Sequence, residues 1–254
     1  MREINMKKNS FKIILIIVLV IGLSISVMAE DKFSLNTGFD FYSRYVWRGL
    51  DIASTPSIQP TISIGHCDFE FGVWGAYTIS NQTSESDEID FWLTYSRELE
   101  SGTAFSAIVT DYYFPNSGID FFNFNNYDAV IDDTIPDPGA HTIEIGLSIA
   151  GPESFPMTVS GYLNAYNDAG NNFYFQADYP LTVGNAELNL FLGMTAGSQD
   201  NPDYYGADDF SIINTGISTV KEINISDQFS LPLTFSFIVN PKAEISSLLV
   251  GASL

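Results

Sequence analysis

The stretch from Phe33 to Gly49, F-S-L-N-T-G-F-D-F-Y-S-R-Y-V-W-R-G, alternates in twos along its whole length. One face carries Phe33, Leu35, Thr37, Phe39, Phe41, Ser43, Tyr45 and Trp47. The other face carries Asp40, Arg44 and Arg48, which a dry soluble core does not accept without partners. This pattern predicts one long strand of a transmembrane barrel, with Tyr45 and Trp47 in an interfacial girdle. An edge strand of a soluble sandwich is the alternative.

Residues 1–29 have the features of a secretory signal peptide. Arg2, Lys7, Lys8 and Lys12 form a basic start, and an apolar run from Ile13 to Val27 follows. Val27-Met28-Ala29 fits a cleavage site with small residues. A membrane anchor helix is the alternative, but the run is short for a span of about 20 residues. We therefore expect residues 30–254 to form the exported barrel.

The composition excludes several classes of protein. Without residues 1–29 the chain has 6 basic and 30 acidic residues, a formal charge of −24. Nucleic-acid binding is excluded, because it requires clustered Lys and Arg. Charged residues are 16% of the sequence, below the roughly 25% of ordinary soluble domains. After Val27 no apolar run is long enough for a transmembrane helix, so insertion into a membrane would have to use strands.

Turn signals and alternating runs continue to the end of the chain. The predicted strands are 33–49, 58–64, 69–79, 89–96, 103–113, 141–149, 155–166, 173–179, 186–193, 210–220, 228–239 and 243–254. The pattern predicts an all-β fold, a transmembrane antiparallel up-and-down β-barrel of about 12 strands. The two longest connections, 114–140 and 196–209, fall at the same end of this barrel. Long loops at one end and short turns at the other are typical of outer-membrane barrels.

The ordered motifs resemble a known family. Residues 43–59 contain Tyr45, Trp47-Arg48-Gly49, Pro56 and Gln59, in the order of the opening motif of the TorF-type porins. Further similar motifs are Gly72-Val73-Trp74-Gly75, Glu88-Ile89-Asp90, Tyr112-Tyr113-Phe114-Pro115 and the strand 142–148. The resemblance covers most of the exported chain and is strongest over residues 43–115. It implies a bacterial outer-membrane barrel with a porin-like role.

Eight charged residues share the predicted inward face. These candidate pore-lining residues are Asp40, Arg44, Arg48, Glu70, Asp90, Glu144, Asp178 and Glu187. Six are acidic and two basic, so an open lumen would favour cations. Alternatively, the arginines pair with the carboxylates and fill a closed interior.

Other candidate sites are weaker. His66 and His141 are the only histidines, no local pairing with Ser or Asp recommends either, and Cys67 is expected to be an inert thiol, so we expect no enzyme and no cofactor. The two long loops contain Asp128, Asp132, Asp133, Asp137, Asp200, Asp203, Asp208 and Asp209, but their spacing matches no EF-hand and we assign no metal. Aromatic residues of the first loop either stack on sugars or fold into the barrel mouth, namely Tyr112, Tyr113, Phe121, Phe122, Phe124 and Tyr127.

Two classes of function follow. The first is a porin-like channel of the bacterial outer membrane, in contact with membrane lipid, for passive diffusion of small hydrophilic solutes with a preference for cations. The second is a non-conducting barrel that displays acidic, aromatic loops for adhesion or for binding a partner.

Overall fold

The computed structural model describes residues 33–80, 87–126, 130–132, 135–136, 139–202 and 204–254. The expected signal peptide lies outside these residues. The described strands are β1 (Phe33–Tyr42), β2 (Tyr45–Trp47), β3 (Leu50–Ala53), β4 (Ser57–His66), β5 (Phe69–Thr78), β6 (Glu88–Glu98), β7 (Ala104–Tyr113), β8 (Val130–Asp132), β9 (Ile135–Pro136), β10 (His141–Ala150), β11 (Thr158–Tyr166), β12 (Phe173–Val183), β13 (Ala186–Thr195), β14 (Ser211–Ser226), β15 (Phe229–Asn240) and β16 (Ile245–Ser253).

Twelve of these strands close into one antiparallel barrel in the order β1-β16-β15-β14-β13-β12-β11-β10-β7-β6-β5-β4. The barrel closes where β1 pairs with β16 on one side, through Asp40↔Ser253, and with β4 on the other. Successive barrel strands are neighbours, so the topology is up-and-down. This confirms the predicted all-β barrel of 12 strands. No helix long and apolar enough to cross a membrane occurs within the described ranges.

The alternation of side chains produces an apolar outer wall and a polar interior. Phe71, Ile145 and Leu190 are 47%, 46% and 43% exposed on the outside. Glu144, next to Ile145 in β10, is only 2% exposed on the inside. Since strand side chains alternate, the two faces predicted from the sequence are the two faces of the wall.

Several predicted boundaries differ from the structure, and two of the differences are larger than the rest. The first strand does not continue to Gly49: β1 ends at Tyr42, and β2 and β3 pair with each other in a separate two-stranded sheet. The turn predicted from residue 221 is also wrong, because β14 continues to Ser226 and stays paired with β15, with a register shift between Asn224 and Ser226. In both places the alternation runs through the boundary, so it does not show where the strand ends.

The two ends of the barrel differ. At one end short turns connect β4 to β5, β6 to β7, β10 to β11, β12 to β13 and β14 to β15. At the other, which we call the long-loop end, the connections include 43–56, 114–140 and 196–210. The first and last of these fold into the interior and form the site described next.

Candidate functional site

Residues 43–56 form a small hairpin, which we call the inward hairpin. Its strands β2 and β3 pair through Trp47↔Leu50, leaving Arg48 and Gly49 as a two-residue turn. Both turn residues have positive φ, 48° and 81°. This is the backbone of a type I′ turn, which matches the right-handed twist of a hairpin. Glycine is required at the second position because a Cβ there would collide with the carbonyl oxygen of Ile213.

The inward hairpin crosses the lumen. Arg48 is carried by the loop after β1 and binds Glu144 of β10, five strands away around the barrel in one direction and seven in the other. The turn also contacts β14 through Ile213, and Asn240 Nδ2 donates to Gly49 O at 3.2 Å. The hairpin therefore spans the barrel near its widest chord.

Arg48 lies at the centre of a buried network. Its guanidinium donates to both oxygens of Glu144, with Nη2–Oε1 at 2.8 Å, and to the Tyr205 hydroxyl at 2.6 Å. Tyr112 Oη donates to Glu144 Oε1 at 3.0 Å. The Arg48 and Glu144 side chains are 10% and 2% exposed. A bidentate pair of this kind fixes the position of the arginine as well as its charge.

Aromatic rings surround the Arg48 guanidinium. Its Cζ lies 4.5 Å from the ring centroid of Trp47, 4.2 Å from that of Tyr162 and 4.6 Å from that of Tyr174. Each distance is within the roughly 6 Å range of a cation–π interaction. These rings supply favourable electrostatics where water is largely excluded, and so hold the charged tip of the hairpin in the lumen.

The base of the inward hairpin is anchored separately. Arg44 Nη1 donates to Asp51 at 2.8 Å within the hairpin and to Ser247 of β16 at 3.1 Å. Tyr45, only 5% exposed, donates to Glu88 of β6 at 2.7 Å. The prediction that Tyr45 and Trp47 belong to an outer aromatic girdle is therefore wrong, because the turn after Tyr42 carries both rings into the lumen.

The connection 196–210, which we call the tyrosine loop, also folds inward. Tyr205 is 1% exposed and stacks on Trp47, with ring centroids 5.8 Å apart and planes at 17°. Tyr204 packs edge-on against Trp47 at 6.2 Å. The sequence predicted an acidic loop here, and neither tyrosine was among the candidate residues. The only feature of the sequence that could have drawn attention to them is that Tyr204 and Tyr205 are adjacent.

A cavity of about 830 Å³ occupies the lumen beside the hairpin. Six of the eight predicted pore-lining residues line it: Arg44, Arg48, Glu70, Asp90, Glu144 and Asp178. Asp40 lies on the inward face of β1, opposite Gln59, but is not among the lining residues. Glu187 is exposed on β13 near the short turn that follows β12, also away from the cavity.

The cavity is acidic. Glu70 accepts from Asn36 at 3.1 Å, and Asp178 accepts from Gln176 and Asn189 at 2.9 and 3.0 Å. Asp90 is 9% exposed, and its Oδ1 has no hydrogen-bond partner among the described residues. Among the residues that the structure describes, only Arg44 and Arg48 line the cavity as cations, and each forms a salt bridge with a further carboxylate, Asp51 and Glu144 respectively. The polar partners of Glu70 and Asp178 orient these carboxylates without neutralising them.

A clasp of polar side chains joins two loops at the long-loop end. Asp168 accepts from Asn164 and Asn201, each at 2.8 Å, and from the backbone of Asn172 at 2.8 Å. Burial by itself raises the pKa of Asp168, but the hydrogen bonds from Asn201, Asn164 and Asn172 outweigh it and lower the pKa. The clasp therefore holds the tyrosine loop through the Asp168 carboxylate, which remains ionised at pH values low enough to protonate an ordinary aspartate.

The histidines lie elsewhere. His141 is 1% exposed on the outward parity of β10, with Nδ1 2.9 Å from Asp111 and Nε2 2.5 Å from Phe121 O. Its ring stacks on Phe124 at 4.5 Å, so the loop after β7 covers it on the outside of the wall. Phe121 and Phe124 thus do not enter the mouth, while Tyr112 does. Tyr127, Asp128, Asp133, Asp137 and Asp203 lie outside the described residues, as does the side chain of Asp132.

Comparison with known proteins adds no family assignment. Neither a protein-family model nor a curated protein sequence matches this chain.

Proposed function

We propose that this protein is a porin-like channel of the bacterial outer membrane, through which small hydrophilic solutes diffuse passively with a preference for cations. The observation that carries the proposal is the closed barrel with an apolar outer wall and an acidic cavity of about 830 Å³ inside. Such a wall suits contact with lipid, and the interior suits water and ions. The signal-peptide pattern and the resemblance to TorF-type porins support the same location.

The cation preference follows from the charges in the lumen. Arg44 and Arg48 are each neutralised by a carboxylate, whereas Glu70 and Asp178 have no basic partner among the described salt bridges. Low-dielectric walls focus the field of such groups on the path of a permeant. The proposal includes no enzymatic step and no cofactor.

The inward hairpin sets the constriction in this channel. It spans the lumen at Arg48, and the tyrosine loop packs against it at Trp47. The same packing favours a second candidate, a non-conducting barrel in which these segments close the long-loop end and the outer loops bind a partner.

Planar-bilayer recordings of the refolded protein test the proposal. We expect a small conductance, and a reversal potential in a KCl gradient that shows cation preference. This preference should increase as the salt is lowered. Dissolved ions screen the field of the carboxylates over about 10 Å at 0.1 M salt, and this screening decreases at lower salt. Arg48→Ser should raise the conductance by removing the tip of the constriction. Arg97→Ser is the matched control, since Arg97 is 61% exposed and binds Asp68 away from the cavity.

Two results would count against the proposal. Anion preference at low salt would reject the acidic lining as the selectivity element. An absence of conductance in both the wild-type protein and Arg48→Ser would favour the display barrel.

A further inference from the structure

The tryptophans of this protein are distributed unusually. The chain has three, and all of them, Trp47, Trp74 and Trp92, line the lumen cavity. Outer-membrane barrels generally place aromatic residues in girdles at the lipid interfaces. The outer wall here exposes phenylalanines and tyrosines but none of the three tryptophans, for example Phe41, Phe71 and Tyr95. The indoles therefore serve the interior rather than the anchoring of the barrel.

Two of these indoles flank a carboxylate on one wall. Trp74 of β5 is directly opposite Asp90 of β6 in the strand register, and Trp92 is the next inward residue of β6. Directly opposed residues of an antiparallel pair have Cβ atoms about 4.5–5.5 Å apart. A Cβ on Gly72 would collide with the Trp92 ring, so this glycine lets the indole lie against the wall. Trp74, Asp90 and Trp92 thus lie side by side on the inward face of this wall and line the same cavity.

The carboxylate on this surface lacks a counter-charge. Asp90 shares its inward face with Glu88, two residues earlier, and both are less than 10% exposed. Glu88 accepts a hydrogen bond from the Tyr45 hydroxyl. Among the described salt bridges, none joins a basic side chain to Glu88 or Asp90. Glu70 and Asp178 add negative charge elsewhere on the lining. Two neighbouring buried carboxyl groups without a cation favour the protonated form, so a bound cation would take the place of the proton on Asp90.

We propose that the wall formed by Trp74, Asp90 and Trp92 binds small organic cations that carry an ammonium group. The faces of the two indoles attract such a group by cation–π interactions, and Asp90, on releasing its proton to solvent, supplies the carboxylate that neutralises it. Aromatic rings combined with a net negative lining favour an organic ammonium over an uncharged sugar. They also favour it over a hydrated metal ion, because an alkylated ammonium loses less hydration on contact with a ring. This inference deepens the proposed channel function by naming the class of permeant.

Tryptophan fluorescence of the refolded protein in detergent micelles tests this site without requiring conduction. Choline chloride is the probe, titrated at constant ionic strength against NaCl, with glucose as the neutral control. We expect a saturable fluorescence change with choline and none with glucose. Asp90→Asn should weaken choline binding about tenfold, because it removes the charge that faces the ammonium. Trp92→Leu should weaken it about fivefold.

Phe91→Leu is the matched control, because Phe91 lies between Asp90 and Trp92 in β6 but has the outward parity. It should bind choline as the wild-type protein does, and all variants should show the gel mobility of the folded barrel. An equal response to choline and glucose, unchanged binding by Asp90→Asn, or no saturable response to choline would each overturn the assignment. A barrel that binds choline but does not conduct would keep the site and reject the channel.

Discussion

Glu144→Leu is expected to release the inward hairpin from the lumen. The substitution leaves the Arg48 guanidinium, 10% exposed, without the carboxylate that neutralises it. Breaking a buried pair by removing one partner costs about 3–5 kcal/mol. The ladder of the 12 barrel strands does not include β2 or β3, so the barrel can persist while the hairpin leaves. The fraction of molecules in which the hairpin has left the lumen should rise by about a hundredfold or more.

Trypsin provides the measurement, since it cleaves after arginine. In the wild-type protein the Arg48–Gly49 bond lies within the buried network and should be protected. In Glu144→Leu it should be cut rapidly, while the barrel strands stay intact and the conductance increases. The control is Arg48→Met combined with Glu144→Leu, since apolar replacement of both partners is often neutral or stabilising. Because this double variant has no arginine at position 48, cleavage is followed at Arg44 instead. We expect Arg44 to be cut in Glu144→Leu and protected again in the double variant. Slow cleavage in Glu144→Leu would show that this pair does not hold the hairpin.

Ile145→Arg is expected to destabilise the barrel itself. Ile145 is 46% exposed on the outer wall and is the fifth of the 10 residues of β10. If this wall faces lipid, Ile145 lies near the bilayer midplane. An arginine at that depth costs about 2–4 kcal/mol. The variant should therefore fold into lipid vesicles at lower urea concentrations than the wild-type protein.

Heat-dependent gel mobility and urea titrations in vesicles measure this effect. Ile145→Val is the control for volume, because it removes one methylene, worth about 0.8 kcal/mol when fully buried. Asp40→Asn tests an inward charge that does not line the cavity. If Ile145→Arg were as stable as these two controls, the result would indicate that the outer wall faces water.

The sequence predicted the two faces of the barrel strands better than the side-chain contacts inside the barrel. Period-two alternation specifies which residues face inward, so Glu144 and Ile145 were correctly placed on opposite faces. Alternation does not reveal which strand is the partner. Phe33 to Gly49 therefore looked like one strand, although it bends after Tyr42. Arg-Gly is not among the usual type I′ turn pairs, such as Asn-Gly, which hid the hairpin.

The contacts of the site were less accessible to sequence analysis. Arg48 and Glu144 are 96 residues apart, and Arg48 and Tyr205 are 157 apart. Each of them has several possible partners by parity alone. Only the closure of the barrel and the inward fold of two loops select the observed pairs. Six of the eight candidate residues line the cavity, but Arg44 and Arg48 reach it from the inward hairpin rather than from the face of a barrel strand, which only the tertiary structure shows.

We infer that this barrel spans a bilayer with Ile143, Ile145, Leu147 and Ile149 of β10 toward lipid. Nitroxide labels on single cysteines in a Cys67→Ser background test it directly, by their accessibility to oxygen and to a water-soluble nickel complex in vesicles. The labelled positions would be Ile143, Ile145, Gly146, Leu147, Ser148 and Ile149. We predict that oxygen accessibility is high at the four outward positions and low at Gly146 and Ser148. Greater accessibility to nickel than to oxygen at Ile145 and Leu147 would contradict the account.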